Sequence, residues 1–423
     1  MKTFGLLVLF AYGIFSLYLG YRNAILHSQD LAPVYMASRL WLRGTNPYQP
    51  PSLRQWREAS PAEAFPVHYS ESALCSPYPP VTLLNLSGLS GFRWPIARNI
   101  WFAVNLGLVF YIPFMIRRIW YPAWSAFATT LFIAFWMGGI GVRVSLGLGQ
   151  HGLLAFAFLL AALRRIQIGK PGAGILLALS THKPNLAIGY LIPLAAKIPR
   201  RVFLSAGLAL LALYALFFTR VGSHAAEAAL GLGGSFFWWC RTWETTYPGT
   251  CIHPILYRFL GDPRASWILM NLLRIAGLGG CLWLFRRNRP LPTDIEFGTL
   301  SLLSLWMLYH GFQDTFLLIV PITALSHRLR ALRASPLRWA VFPLLVFLVG
   351  MWFAEASKVY LWLFPSAPAH FSETGLYRAM VDLYRSVIFI AFLGMLLLQG
   401  WGAEGFGGRI TPSPSERSEG LFS

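Results

Sequence analysis

The chain has 423 residues, 56% hydrophobic and only 12% charged, with a mean hydropathy of +0.53, whereas a soluble domain carries about 25% charged residues. This excludes a soluble globular protein and indicates a polytopic membrane protein. The formal charge of +19, from 35 Lys plus Arg against 16 Asp plus Glu, is a property of membrane topology rather than of a nucleic-acid partner, because Lys and Arg collect in cytoplasmic loops and no basic stretch alternates with exposed aromatics.

Residues 3–20 are long and apolar enough to span, and the basic start Met1-Lys2 sets the N-terminus inside. The segment lacks a small-residue cleavage site, so it reads as a retained helix. Residues 21–95 form a first outer loop whose helices are expected to lie along the interface, with Tyr78-Pro79-Pro80 as the rigid entry to one of them. The segment 96–116 crosses inward to Arg117-Arg118, 122–141 goes out, and 148–163 returns to a basic stretch, RRIQIGK. Segment 171–197 lies between RRIQIGK and KIPRR, and a single helix would leave one basic flank outside. Two half-helices bent at THKP keep both flanks inside, because Pro184 cannot donate to the helix ladder and pushes Lys183 away from helical geometry. His182 and Lys183 then sit in the membrane zone, where only a polar cavity accommodates them.

Residues 202–219 go out to a second outer loop, 220–262, where Phe236, Phe237, Trp238, Trp239 and Trp243 read as an interfacial belt or as a surface for stacking sugars. Segments 265–285, 297–310, 314–326, 338–354 and 383–400 follow. The expected fold is all-α: ten full crossings plus one broken hairpin, a single membrane domain over residues 1–400, and a disordered cytoplasmic tail at 401–423. Internal repeats and inverted hydropathy symmetry are not evident. The cysteines Cys75, Cys240, Cys251 and Cys281 lack metal-ligand spacing, and Cys240 with Cys251 could pair only across an extracytoplasmic loop.

Most acids fall in loops, but Asp30 and Asp314 stand at helix ends near the outer face, where an ionised carboxylate is costly. Asp30 can cap the helix that follows it, or it can do chemistry. The stretches DLAPVYMASRLWLRGTNPY (Asp30–Tyr48), SPYPP (Ser76–Pro80), ARNIWFAVN (Ala97–Asn105), GLGQ (Gly147–Gln150), GAGILLALSTHKP (Gly172–Pro184) and YHGFQD (Tyr309–Asp314) together resemble glycosyltransferase family 87. In order and spacing they cover most of residues 20–325.

The resemblance implies a GT-C-type membrane enzyme that takes a sugar, mannose being the expected one, from a polyprenyl phosphate donor and passes it to a glycolipid or glycan acceptor. No cofactor is expected, and a metal requirement stays open. Asp30 takes the place of the general base in an inverting displacement, one carboxylate sufficing when the phosphate is already a good leaving group. Phosphate needs cations, and the outer-side candidates are His182, Lys183, Arg143 and His310, with Arg241 and Arg258 farther off. His182-Lys183 is preferred, because half-helix ends add backbone donors; Lys183 could instead snorkel to an interface, and His310 could be a helix-end histidine. Family members often carry a basic residue where this chain has His310-Gly311-Phe312-Gln313. Tyr35, Asn46, Gln150 and Asp314 are the expected sugar or acceptor contacts, Gln150 being equally placed, with His151, to cap a helix. Two carboxylates spaced for Mg²⁺ or Mn²⁺ are not evident. A transporter or flippase for a lipid-linked sugar is the rival class, with His182, Lys183 and Asp314 as its substrate path.

Overall fold

The computed structural model describes residues 2–26, 28–48, 78–234, 253–286, 293–308, 312–331, 338–353 and 375–405. Among these the chain is helical throughout, with sixteen α-helices and no strand. The apolar α1 (Lys2–Leu26) has no internal proline and presents Phe4 and Leu7 outward, as a lipid-facing helix should. It ends at Ser28, whose φ of 39° turns the chain and whose Oγ donates to Ala24 O at 2.7 Å.

The turn leads into α2 (Leu31–Leu42), which is packed into the rest of the protein rather than left exposed. Ten of its twelve residues are buried, and Trp41 Nε1 donates to Phe217 O at 3.1 Å. The short α3 (Pro80–Leu86) starts with Pro79 as an extended N-cap and Pro80 in the first turn, where a missing N–H costs nothing. It too is interior, with Val81, Thr82 and Leu83 buried. Both helices pack with Trp94, Trp101 and Phe217 into a compact apolar cap, because α2 carries apolar residues around most of its surface and a helix of that kind buries itself. Residues 49–77 of the expected outer loop lie outside the described residues.

The remaining helices are α4 (Trp94–Trp120), α5 (Ala126–Met137), α6 (Ile140–Leu148), α7 (Gly152–Gln167), α8 (Ala173–Ser180), α9 (Pro184–Leu194), α10 (Arg200–Val221), α11 (His253–Leu260), α12 (Pro263–Phe285), α13 (Asp294–Met307), α14 (Ile319–Ala331), α15 (Arg338–Phe353) and α16 (Gly375–Gly405); a 3₁₀ turn, Phe312–Leu318, precedes α14. Among the described residues, five stretches are long and apolar enough to cross a membrane: Thr3–Leu26, Trp94–Trp120, Arg200–Gly234, Pro263–Phe285 and Val381–Leu398. The pair α5–α6, bent by 55°, makes a sixth if counted as one span. The expected ten full crossings are therefore not ten long helices. Segments 148–163, 297–310, 314–326 and 338–354 are helical, but α7, α13, α14 and α15 have 16, 14, 13 and 16 residues, and a span takes about 20.

The broken segment is present as α8 and α9, separated at Thr181–Lys183. Gly174, in the first turn of α8, packs so closely on the start of α10 that a side chain there would meet Val202 O at 2.6 Å. The far end of α9 runs through Lys197 directly into the same start of α10 at Arg200. The segment thus goes in and comes back, a hairpin of half-helices.

Its returning end belongs to a polar layer. Lys197 Nζ lies 2.9 Å from Glu296, Tyr121 Oη donates to Asp294 at 2.9 Å, and Gln167 Nε2 donates to Ile119 O at 3.4 Å. The basic ends of α4 (Arg117, Arg118), α7 (Arg164, Arg165) and α10 (Arg200, Arg201) share this side. Between it and the bend lies a large apolar core built around Phe156, Tyr190, Phe297 and Phe316. The aromatic run at 236–243, Arg241, the tail from 406, and Cys75, Cys240 and Cys251 lie outside the described residues; Cys281 is a buried free thiol.

Candidate active site

Opposite the basic layer, four chain segments bring polar side chains together beneath the cap. Asp30 stands at the N-cap position of α2 with φ −87° and ψ −19°, yet its side chain makes no capping bond. Its carboxylate accepts instead from Gln150 Nε2. The backbone around it is held on both sides: Asp30 N donates to Leu148 O at 3.0 Å, and His151 Nε2 donates to Asp30 O at 3.3 Å.

Gln150 is delivered by the end of α6. Gly149 takes φ 68°, its N–H donates to Leu146 O at 3.3 Å, and Gln150 N donates to Ser145 O at 2.9 Å. This is a Schellman termination, which calls for the left-handed residue that glycine supplies. A side chain at Gly149 would also meet Leu31 Cβ at 2.9 Å.

Lys183 arrives from the hairpin bend. Pro184 opens α9, and Lys183 is accordingly extended at φ −121°, ψ 95°. Its buried Nζ donates to Gln150 Oε1 at 3.2 Å and to Asp314 Oδ1 at 2.5 Å. Asp314, 1% exposed, comes from the 3₁₀ turn. It rests over the first residue of α7, for a side chain at Gly152 would lie 3.0 Å from its Oδ1. Ser145 Oγ donates to the neighbouring Gln313 O at 2.9 Å and ties that turn to α6.

Burial pushes the Asp30 carboxyl up to about 6, with the nearby Lys183 charge and the Gln150 hydrogen bond holding it lower than burial alone would. The group is thus ionised just above pH 6, where a carboxylate is a stronger base than it is in water.

Two histidines form the inner wall. Thr82 Oγ1 donates to His182 O at 2.5 Å, and Asn85 Nδ2 lies 3.1 Å from His182 Nδ1. An amide N–H₂ only donates, so the proton of His182 sits on Nε2. His151 bears its proton on Nε2, facing the Asp30 carbonyl, and burial lowers it to about 3, so it stays neutral. His182 Nε2 and His151 Nδ1 are buried and have no partner among the described residues, in rings whose centroids lie 5.3 Å apart. Such atoms cost about 1–3 kcal/mol when left unfilled, which a bound ligand recovers.

The site therefore unites Asp30, Gln150, His182, Lys183 and Asp314. Arg143, half-buried on α6, makes no side-chain bond to them. Tyr35 points elsewhere: its Oη donates to Phe92 O at 2.7 Å and accepts from Arg39 at 2.7 Å. Asn46 Oδ1 accepts from Tyr48 N at 3.0 Å, and Tyr48 Oη reaches Tyr78 O at 2.9 Å beneath His151, so Asn46 touches the site only through its wall. His310 lies outside the described residues, and Arg258 pairs with Asp382, outside this cluster. Thr82 and Asn85, which hold His182, gave as their only sequence signal an i, i+3 pair on a short helix. Among the described residues, no group of three or more His, Cys, Asp or Glu could hold a metal ion.

The sequence profile of glycosyltransferase family 87 matches residues 77–308 of this chain. The chain belongs to glycosyltransferase family 87. It is a multi-pass membrane glycosyltransferase, and so takes a sugar donor and an acceptor. No curated protein matches it. The matched stretch carries Arg143, Gln150, His151, His182 and Lys183 of the family 87 enzyme; Asp30, Tyr35, Asn46 and Asp314 lie beyond it, and folding brings Asp30 and Asp314 back to matched residues.

Proposed function

We propose that this enzyme, with a GT-C-type arrangement, transfers a hexose, mannose by family resemblance, from a polyprenyl phosphate to a glycolipid or glycan acceptor. Asp30 is the general base. The acceptor hydroxyl attacks the anomeric carbon, its proton passes to the Asp30 carboxylate, and the bond from that carbon to phosphate oxygen breaks with inversion. Lys183, with two of its three N–H donors engaged, and the unfilled Nε2–H of His182 are the donors for the departing phosphate. The reaction is assigned to the outer face of the cytoplasmic membrane. That reading is supported by the position of the site opposite the layer of Arg117, Arg118, Arg164, Arg165, Arg200 and Arg201, because such residues mark the cytoplasmic side.

One observation carries the reading: Asp30 occupies a capping position without capping, and its carboxylate is held instead by Gln150 beside a buried lysine. The test is Asp30→Asn, which keeps the size and caps about as well. The variant is expected to fold and to bind donor, and to lose turnover by a factor on the order of 100 to 10,000. Turnover within a few-fold of wild type would return Asp30 to a structural role and make Asp314 the next base to test. A folded, donor-binding, inactive variant also separates the transferase from a flippase, which has no use for a general base.

A further inference from the structure

We propose that Gln150 is a positioning residue whose amide clamps the Asp30 carboxylate to the Lys183–Asp314 pair, so that the proton affinity of Asp30 is set from the far side of the site. The inference rests on the reading of Asp30 as the base and deepens it.

The geometry allows the amide only one orientation. An ammonium can only donate, so the carbonyl end of Gln150 must face Lys183, at 3.2 Å, and its N–H₂ end is left to face Asp30. With one amide end on each side, Gln150 acts as a strut, which a sugar contact on a free side chain would not be. Its backbone is equally fixed: Leu148 and His151, on either side of Gln150, both bond the Asp30 main chain, and Ser145 joins the same helix end to the residue before Asp314. A displacement of Asp314 or Lys183 is therefore transmitted to the Asp30 carboxylate through two hydrogen bonds and one rigid helix end.

The charged and titratable groups around Asp30 are few. The hairpin bend contributes Lys183 and the neutral His182, the 3₁₀ turn contributes Asp314, and the start of α7 contributes the neutral His151. On α4, Arg98 is tied to Ile25 O at the end of α1; on α6, Arg143 is half-buried and makes no side-chain bond to Asp30; on α2, Arg39 is engaged with Tyr35. The short α3 has no titratable residue. Lys183 and the Gln150 donor favour the ionised form of Asp30, and Asp314 opposes it, which agrees with a carboxyl near 6 rather than higher.

The signs of the expected shifts are opposite for two variants, which a merely structural role would not produce. Gln150→Leu removes the donor, so the Asp30 midpoint should rise, by about one pH unit. Asp314→Asn removes the neighbouring anion and leaves Lys183 to act on Asp30 alone, so the midpoint should fall. The measurement is an infrared titration of the carboxyl stretch in purified full-length protein, taken as the difference against Asp30→Asn, together with the acid limb of kcat/KM against pH. A Gln150→Leu midpoint equal to wild type, or an Asp314→Asn midpoint that rises, overturns the proposal. Should Gln150→Leu fail to fold, Gln150→Asn, whose amide is one methylene too short to span Asp30 and Lys183, is titrated in its place, and an unmoved midpoint there overturns the proposal equally. Because the infrared midpoint is read without turnover, the coupling is tested even if an active Asp30→Asn removes the base assignment; an inactive Asp30→Asn with unmoved midpoints removes only the coupling.

Discussion

Ionising Asp30 should cost the fold stability. The carboxyl titrates near 6 in the folded protein against 3.8 in a free chain, so the folded state binds the proton more tightly than the unfolded one. The resulting contribution is fully present below about pH 4 and is lost as the pH rises through about 6. Asp30→Asn, which never charges, is therefore expected to melt higher than wild type at pH 8, by up to about 2–3 kcal/mol, with the advantage gone near pH 4. Thermal melts of both proteins across that range check it, and an advantage that persists at pH 4 would contradict a desolvated carboxylate. In the sequence, Asp30 stood out because an acid at the exit of an apolar helix is rare. That its side chain leaves the N-cap unserved was not legible, since Asp is an ordinary capping residue and only the position of Gln150 shows the carboxylate to be engaged elsewhere. The Lys183–Asp314 pair was hidden for the same reason: the partners are 131 residues apart, and no local pattern announces such a contact.

The junction of α6 and α7 sets how closely Gln150 approaches Asp30. Gly149→Ala meets both a left-handed backbone and Leu31 Cβ at 2.9 Å. The backbone part costs about 1 kcal/mol, and the contact pushes α2 or the Schellman turn by a few tenths of an ångström. The expected outcome is a folded enzyme with kcat reduced roughly tenfold or more and a smaller change in donor KM, because a small displacement of a base is felt mainly in turnover. Steady-state kinetics check it; an unchanged kcat would mean that the approach of α6 to α2 tolerates slack. The bend between α8 and α9, by contrast, was readable in advance. Pro184 and the two basic flanks were enough, because both a missing donor and the side preference of arginine are local properties. The burial of α2 and α3 was not, since apolar residues on a short helix mark an interface or an interior equally.

Across the whole molecule, the return of α9 to the start of α10 puts the ends of α7 and α9 on one side. Single cysteines at Ile168 and Pro199, in a protein whose native cysteines are replaced, should be modified by an impermeant reagent from the same face, the cytoplasmic one. Modification from opposite faces would show α8 and α9 to be one through-going path. Hydropathy suggests ten crossings, and among the described residues five or six stretches are long and apolar enough for one; a run of apolar residues says that a helix is buried in something, protein or lipid, and α7, α13, α14 and α15 are short for a span. The separation of Lys183 and Asp314 also bears on how the protein is made. At about 5–20 residues per second, the ribosome needs roughly 7 to 26 seconds to add the 131 residues from Lys183 to Asp314. Throughout that interval Lys183 is present without the carboxylate it will finally pair with, so its ammonium has to stay wet or be borne by the insertion machinery until then. The bend can take up its final contacts only after residue 314 has been synthesised, so this cluster is completed by a part of the chain made long after the bend itself.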